Sequence, residues 1–301
     1  MKKLSAFFIC FLILFNIPIT SNAEEVRDYE IQMKQDLLVL MISYPNDIVG
    51  VEKNDDKVYI VMKSGKKILY DDKIQKSHEE KLANPDLQDM LEQYYPIDKN
   101  DIVMDKSFDP GRARNYDLLN EVYCSSRNAI EKNLVNLKYG YPNYQFNKQN
   151  NANVSLDNTL KTLVPLCKNR SDISSILYPA SGTYNYRVIS GTNRLSPHSY
   201  GIAIDLKSDK RDYWKWSNEK DAQKRISEYP KDLVEAFENN NFVWGGKWGH
   251  FDILHFEYRP EIILKARYFT NWNNEENWFE GVPLEDENIK NYINIIEKAL
   301  I

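Results

Sequence analysis

Cysteines, glycines and long apolar runs are all scarce in this chain of 301 residues. Its three cysteines include no C-x-x-C pair, so a cysteine-based zinc or redox site is not expected. Its eleven glycines exclude a collagen-like or other glycine-rich architecture. Positive charge is not in excess either: the net charge is −5, which removes the electrostatic reason for coating nucleic acid. Apolar residues make up 42% of the chain and aromatic residues 13%, which supplies a core and excludes wholesale disorder.

The most apolar segment lies at the N-terminus and has the layout of an export signal. Lys2 and Lys3 precede an apolar stretch from Leu4 to Phe15, and Ser21-Asn22-Ala23 supplies a small-x-small cleavage site. The stretch is too short for a comfortable membrane span. We therefore predict a signal peptide at residues 1–23 and an exported protein, periplasmic or secreted, with no membrane span after processing. A retained N-terminal anchor is the alternative.

Two cysteines, Cys124 and Cys167, remain after such processing. In an oxidising compartment they can form a disulfide across a separation of 43 residues. The other interpretation is that both are buried free thiols. The sequence leaves these two alternatives open.

The first part of the mature chain predicts a small unit of its own. Residues 26–42 have the pattern of an amphipathic helix, and three strand-like segments follow, at 48–51, 58–62 and 66–70. Turn residues separate these segments, as in a β-meander. We assign residues 24–97 to this N-terminal helix-plus-meander region, whose role the sequence does not indicate.

The rest of the chain, residues 98–301, mixes helical and strand-like patterns that do not alternate in βαβ fashion. The fold class we predict is therefore α+β, with an antiparallel central sheet flanked by helices. Helical patterns lie at 115–138, 155–168 and 230–240 and from about residue 285, and strand-like patterns lie at 182–206 and 241–258.

Two segments carry residue types that suit chemistry. Residues 196–206 read SPHSYGIAIDL, and residues 244–258 read WGGKWGHFDILHFEY. In the first, Asp205 shares a strand face with very small residues, and His198 in the preceding turn can fold back towards it. In the second, His255 lies on a strand, and Asp252 can reach the same place only from the turn that enters the strand. Two imidazoles and a carboxylate are typical of catalytic zinc, and a further free carboxylate suits metal-assisted hydrolysis.

The joint pattern SxHxxGxAxD, WGGxW and DxxHFEY resembles the M15 zinc peptidases, bacterial D-Ala-D-Ala carboxypeptidases and L-alanyl-D-glutamate endopeptidases that cut peptidoglycan stem peptides. Asp before the second histidine matches the endolysin-like branch. The likeness is sharpest over residues 180–260. It implies the M15 or hedgehog-like peptidase fold for the region 98–301. It also implies one zinc ion bound by His198, Asp205 and His255, with Asp252 as the general base that activates a zinc-bound water.

The resemblance also implies an arginine that contacts the substrate, and Arg187 lies where that residue is expected. Arg194 is a competing candidate. Ser196 either hydrogen-bonds the substrate or only fixes the turn of His198. The implied function is an exported zinc peptidase acting on peptidoglycan stem peptides, as a carboxypeptidase or an endopeptidase. The alternatives are a non-catalytic, zinc-stabilised peptide or cell-wall binding protein, and a secreted factor whose N-terminal unit binds a partner.

Five further residues have competing interpretations. His250, five residues before His255, could be mistaken for a zinc ligand. We expect it to line the cleft or be exposed rather than bind the zinc. Glu257 either orients His255 from behind or forms a surface salt bridge. Trp244 and Trp248 are expected to pack in the core rather than form a sugar platform. His78, in a stretch rich in lysine and glutamate, is expected to be a solvated surface residue.

Overall fold

The structure is a computed structural model that describes residues 20–97, 102–139, 143–272 and 277–301. Most of the predicted export signal, residues 1–23, lies outside the described residues. Within those ranges, helices surround three small antiparallel sheets, so the chain is α+β as predicted. The antiparallel pairing was expected, but the strands form separate small sheets rather than one. None of the described helices combines the length and the apolar character that crossing a bilayer requires.

A helix and a three-stranded meander form the N-terminal part, as the sequence predicts. The strands pair antiparallel in the order β1-β2-β3, with a tight turn at Asp55 that adopts a positive φ of 53°. Two short helices follow, each with a capping box at its N-terminus. The elements are α1 (Thr20–Ser43), β1 (Ile48–Asn54), β2 (Lys57–Met62), β3 (Lys67–Leu69), α2 (His78–Ala83) and α3 (Leu87–Leu91).

The helix predicted over 115–138 is confirmed in two pieces, 116–123 and 127–131, but is wrong at its end, because residues 134–138 form a β-strand. Cys124, with φ 68°, ends the first helix, and Ser126 caps a short second one. The strand after it pairs with the next strand along the chain, whose Tyr144 and Phe146 are buried, so strand pairing and burial override the helical pattern. The elements are α4 (Tyr116–Tyr123), α5 (Arg127–Glu131), β4 (Leu134–Lys138), β5 (Asn143–Asn147), α6 (Ala152–Leu166) and α7 (Ser171–Leu177).

The third sheet contains the two segments that the sequence singles out. Its order is β6-β8-β7, so β8 is the central strand and pairs antiparallel with both neighbours. Two helices follow β8, and the first of them was not predicted. The elements are α8 (Pro197–Tyr200), β6 (Ala203–Asp205), α9 (Glu219–Ser227), α10 (Lys231–Glu238), β7 (Phe242–Trp244), β8 (His255–Tyr258), α11 (Pro260–Phe269) and α12 (Glu287–Leu300).

Helix α1 packs against α11 and α12, so the N-terminal and C-terminal parts share one apolar core. Two buried polar contacts join the same helices. The Nζ atom of Lys265 lies 2.6 Å from Oδ1 of Asp36, and the Tyr44 hydroxyl donates to Glu261 at 2.8 Å. The two cysteines do not pair: Cys124 and Cys167 are both half-buried free thiols.

Candidate metal centre and active site

The pairing of β6 with β8 brings the first two candidate ligands together. Asp205 lies opposite His255 in the antiparallel register, and Oδ1 of Asp205 lies 2.8 Å from Nδ1 of His255. The short helix α8, which starts at Pro197, presents His198 to the same point. Nε2 of His198 lies 3.2 Å from Oδ1 of Asp205 and 3.2 Å from Nδ1 of His255. All three residues predicted as ligands therefore point one donor atom at a common centre.

Neighbouring groups determine which nitrogen of each imidazole faces that centre. Nδ1 of His198 donates to the backbone carbonyl of Thr183 at 2.6 Å, which leaves Nε2 free to accept or to ligate. Nε2 of His255 faces Oε2 of Glu257 at 3.6 Å, so its Nδ1 faces the cluster. Such outer partners orient ligating histidines in metal sites.

Glu257 lies behind His255 and is fully buried, so it is not a surface salt bridge. Arg114 binds its carboxylate through two nitrogens, with Nε at 2.8 Å from Oε1 and Nη2 at 2.5 Å from Oε2. Burial alone would raise the pKa of Glu257, but the charge of Arg114 and its hydrogen bonds hold it well below the usual range. The structure thus supports the role of Glu257 as an orienting partner of His255.

Within the cluster, the Asp205 carboxylate and the His255 imidazole carry opposite charge. Burial raises the pKa of Asp205, but the two imidazoles more than offset this and hold the pKa well below its usual range. Burial lowers the pKa of His255, yet the hydrogen bonds to Asp205 and Glu257 raise it to about 10. A raised pKa means that the His255 ring carries an additional proton. A metal ion displaces such a proton when an imidazole becomes a ligand.

Asp252 lies at the turn that leads into β8, next to the cluster. Its backbone N–H donates to the carbonyl of Gly245 at 3.0 Å, and a β-carbon at position 245 would collide with the backbone oxygen of Asp252. Burial raises the pKa of the Asp252 carboxyl, the positive charge of His255 opposes the increase, and the result is about 6. Within the described part of the chain, no group donates a hydrogen bond to this carboxylate.

Comparison with protein families now adds an independent observation. Residues 190–258 match the family model described as D-alanyl-D-alanine carboxypeptidase, of the M15 peptidases. The match supports an M15 family peptidase over this part of the chain. The matched range contains all three candidate ligands and Asp252, and it supports a peptidase. Comparisons with curated proteins and with solved structures gave no match.

The residues predicted to contact the substrate of an M15 peptidase lie in different surroundings. Arg187 is exposed, its backbone N–H donates to Oγ of Ser199 at 2.8 Å, and no partner for its guanidinium is found among the described residues. Ser196 is buried at the start of α8, beside His198. Arg194 is directed elsewhere, since its Nη1 donates to the carbonyl of Leu82.

Arg112 is a residue of the site that sequence reasoning missed. Its guanidinium is partly buried, with Nη1 3.4 Å from Oδ2 of Asp109, and its charge lies close enough to lower the pKa of the Asp252 carboxyl. The signal that could have identified it is the segment Asp109-Pro110-Gly111-Arg112, to which the M15 resemblance extends faintly.

The remaining candidates fall outside the cluster of His198, Asp205 and His255. His250 does not join it, as expected, because its Nδ1 lies 2.7 Å from Oδ2 of Asp109. The expectation that His78 is solvated is wrong: it is partly buried and pairs with the same carboxylate. Trp244 and Trp248 are buried and donate to backbone carbonyls, so they pack in the core as expected.

Proposed function

We propose that this protein is an exported zinc peptidase that hydrolyses peptide bonds in peptidoglycan stem peptides. The observation that carries the proposal is the convergence of His198, Asp205 and His255 on one point. Beside it lies the carboxylate of Asp252, which no donor among the described residues hydrogen-bonds. The family match over these residues supports the peptidase class. Export rests on the signal-like pattern of residues 1–23.

The donor set suits zinc better than a hard cation. Two imidazole nitrogens and one carboxylate oxygen are ligands that zinc prefers, whereas calcium and magnesium favour oxygen atoms only. Both rings are already oriented, His198 by the Thr183 carbonyl and His255 by Glu257. A bound zinc ion would act as a Lewis acid, lowering the pKa of a water molecule towards about 7 and polarising the scissile carbonyl.

The proton transfers fall to Asp252. A carboxyl group with a pKa near the working pH can take a proton from the attacking water and return it to the departing amine. Its surroundings support this role, because burial raises the pKa while no donor among the described residues competes for the carboxylate. Asp205, in contrast, directs its Oδ1 at both histidines and suits a ligand.

Recognition of a peptide carboxylate or carbonyl is proposed for two arginines. Arg187 is the residue that the family resemblance indicates, and its exposed guanidinium is available for a ligand. Arg112 lies closer to the catalytic group, since its charge acts on Asp252. A planar, permanently charged guanidinium can bind a carboxylate through two parallel hydrogen bonds.

Digestion of purified peptidoglycan, followed by mass spectrometry of the products, tests the proposal. The metal-loaded protein should release fragments, chelator should stop the release, and added zinc should restore it. Loss of a terminal D-alanine would identify a carboxypeptidase, and cleavage between L-alanine and D-glutamate an endopeptidase. Saturable binding to peptidoglycan without any product would instead support the alternative, a zinc-stabilised wall-binding protein.

A further inference from the structure

A second cluster with the same donor types lies outside the proposed peptidase centre. Oδ2 of Asp109 lies 2.9 Å from Nε2 of His78 and 2.7 Å from Nδ1 of His250. The two imidazole planes are nearly parallel, at 7°, with ring centres 5.8 Å apart. The composition is two histidines and one aspartate, as in the first centre, and the three donor atoms lie within 4.8 Å of one another.

Local structure holds each of the three residues in place. His78 is the first residue of α2, whose start is defined by a reciprocal capping box between Ser77 and Glu80. Asp109 and His250 are adjacent because the N–H of Gly249 donates to the carbonyl of Phe108 at 2.7 Å. A β-carbon at position 249 would collide with the neighbouring backbone, so this contact requires glycine.

The Asp109 carboxylate is the fully buried centre of the cluster. Its Oδ1 accepts from the backbone N–H of His250 at 2.9 Å, which leaves Oδ2 facing both imidazoles. The side chains of His78 and His250 are 19% and 17% exposed, so an ion can enter from solvent. A cavity of about 10 Å³, the space of about one water molecule, borders His78 and Asp109.

In a nearby acidic cluster, a lysine side chain already neutralises the carboxylates, so that cluster does not need a metal ion. Asp72, Asp86 and Asp89 surround the ammonium group of Lys76, with N···O distances of 2.8, 3.2 and 2.5 Å. Lysine thus supplies the cation at that position. In the His78 cluster, the lysine or arginine nearest to the carboxylate among the described residues is Arg112, at 3.4 Å.

We propose that His78, Asp109 and His250 bind a second zinc ion. Two imidazole nitrogens and a carboxylate oxygen provide three zinc ligands, and a water molecule would complete the tetrahedral set. The ion would join α2 to the loop that carries His250, two residues before Asp252. Its role would be structural, because it connects elements that the sequence separates widely.

Metal content measured by mass spectrometry of the purified full chain tests this proposal. The unmodified protein should hold two zinc ions per chain, and His78→Gln and His250→Gln should each hold one. His198→Ala should also hold one, because it affects the other centre. Asp72→Asn, in the cluster that Lys76 already neutralises, is the matched control and should retain both ions.

The outcomes separate the two centres. A single zinc ion that His198→Ala removes and both His78→Gln and His250→Gln retain would overturn the second site. A single ion that His250→Gln removes and His198→Ala retains would uphold the second site and contradict the proposed peptidase centre. If Asp72→Asn lost as much zinc as His78→Gln and His250→Gln, the binding would be nonspecific, and the second site would also be overturned.

A second measurement covers variants that fail to fold. The chelator-treated unmodified protein should bind zinc in two steps by calorimetry, and its thermal midpoint should rise with zinc concentration. In the unmodified protein, loading one zinc ion per chain should leave a second binding step. His78→Gln should lack this second step, while its circular dichroism spectrum stays that of the unmodified protein. A single step in the unmodified protein, complete at one ion per chain, would contradict the proposal.

Discussion

Two aspartates of the candidate active site differ in what surrounds them, and this difference separates ligand from base. Both imidazoles contact Asp205, whereas no donor in the described part of the chain hydrogen-bonds the side-chain carboxylate of Asp252, whose pKa burial raises to about 6. The same chemical group is therefore suited to hold a cation in one position and to exchange protons in the other.

Replacing Asp252 by asparagine tests the assignment of the base. Asp252→Asn keeps size and hydrogen-bonding capacity but removes basicity, so we expect near-normal zinc content and a rate lower by about 10²–10⁴-fold. Asp205→Asn should instead lose the metal of that centre. Turnover of a stem peptide and zinc content per chain check both. Normal turnover by Asp252→Asn, or loss of its zinc, would contradict the roles assigned.

The two arginines near the site lead to a second prediction at this scale. Arg112→Ala should lower turnover by about 10²-fold with zinc retained, because it removes a fixed positive charge beside the reacting group. Arg187→Ala should mainly raise KM if this exposed residue binds the far end of the peptide. Steady-state kinetics separate kcat from KM. A normal rate for Arg112→Ala, together with a large loss for Arg187→Ala, would favour the residue indicated by the sequence.

At the scale of elements, strand β8 connects the candidate metal centre to the protein core. His255 and Glu257 lie two positions apart on this central strand, so they share a face, and Arg114 holds Glu257 from behind. The buried ion pair thereby fixes the orientation of a candidate ligand. A partner removed from such a pair leaves an uncompensated charge.

Glu257→Gln should therefore weaken both folding and metal binding. We expect a loss of about 3–5 kcal/mol in the free energy of unfolding, because Arg114 stays buried without its counter-charge. Zinc affinity should fall by about 10–100-fold, as for other outer partners of ligating histidines. Denaturant titration and competition with a chromogenic chelator measure the two effects. The control is Glu52→Gln, the same change in a solvent-exposed ion pair with Lys67, which should alter neither quantity.

At the scale of the whole molecule, the N-terminal helix is attached to the C-terminal part of the chain by a buried charge pair. Lys265 on α11 lies 2.6 Å from Asp36 on α1, and both side chains are almost completely inaccessible to solvent. The Tyr70 hydroxyl donates to the same carboxylate at 2.9 Å. The meander, α1 and α11 therefore meet at one buried carboxylate.

Lys265→Met should destabilise the chain by about 3–5 kcal/mol, since Asp36 then stays buried without a cation. The double variant Asp36→Leu with Lys265→Met should recover much of this loss, because no charge remains to be compensated. Lys66→Met, at an exposed ion pair with Asp117, is the matched control and should have little effect. Denaturant unfolding provides the measurement. Equal stability of Lys265→Met and the unmodified chain would show that the pair does not join the two parts.

Several features follow from residue type and spacing alone. The strand face of Asp205, the position of Asp252 on a turn before β8 and the N-terminal meander all depend on local periodicity and turn chemistry, which a short window of sequence contains. The family resemblance rests on the same local motifs. These parts were accordingly predictable.

Other features depend on contacts between distant segments, which local patterns do not encode. His78 has polar neighbours in sequence but faces Asp109 and His250 in the fold, and Arg112 approaches Asp252 in the same way. The sequence by itself determined which donor types the chain holds and which local elements carry most of them. Only the tertiary structure decided which donors meet, because non-local packing and buried charge pairing set those distances.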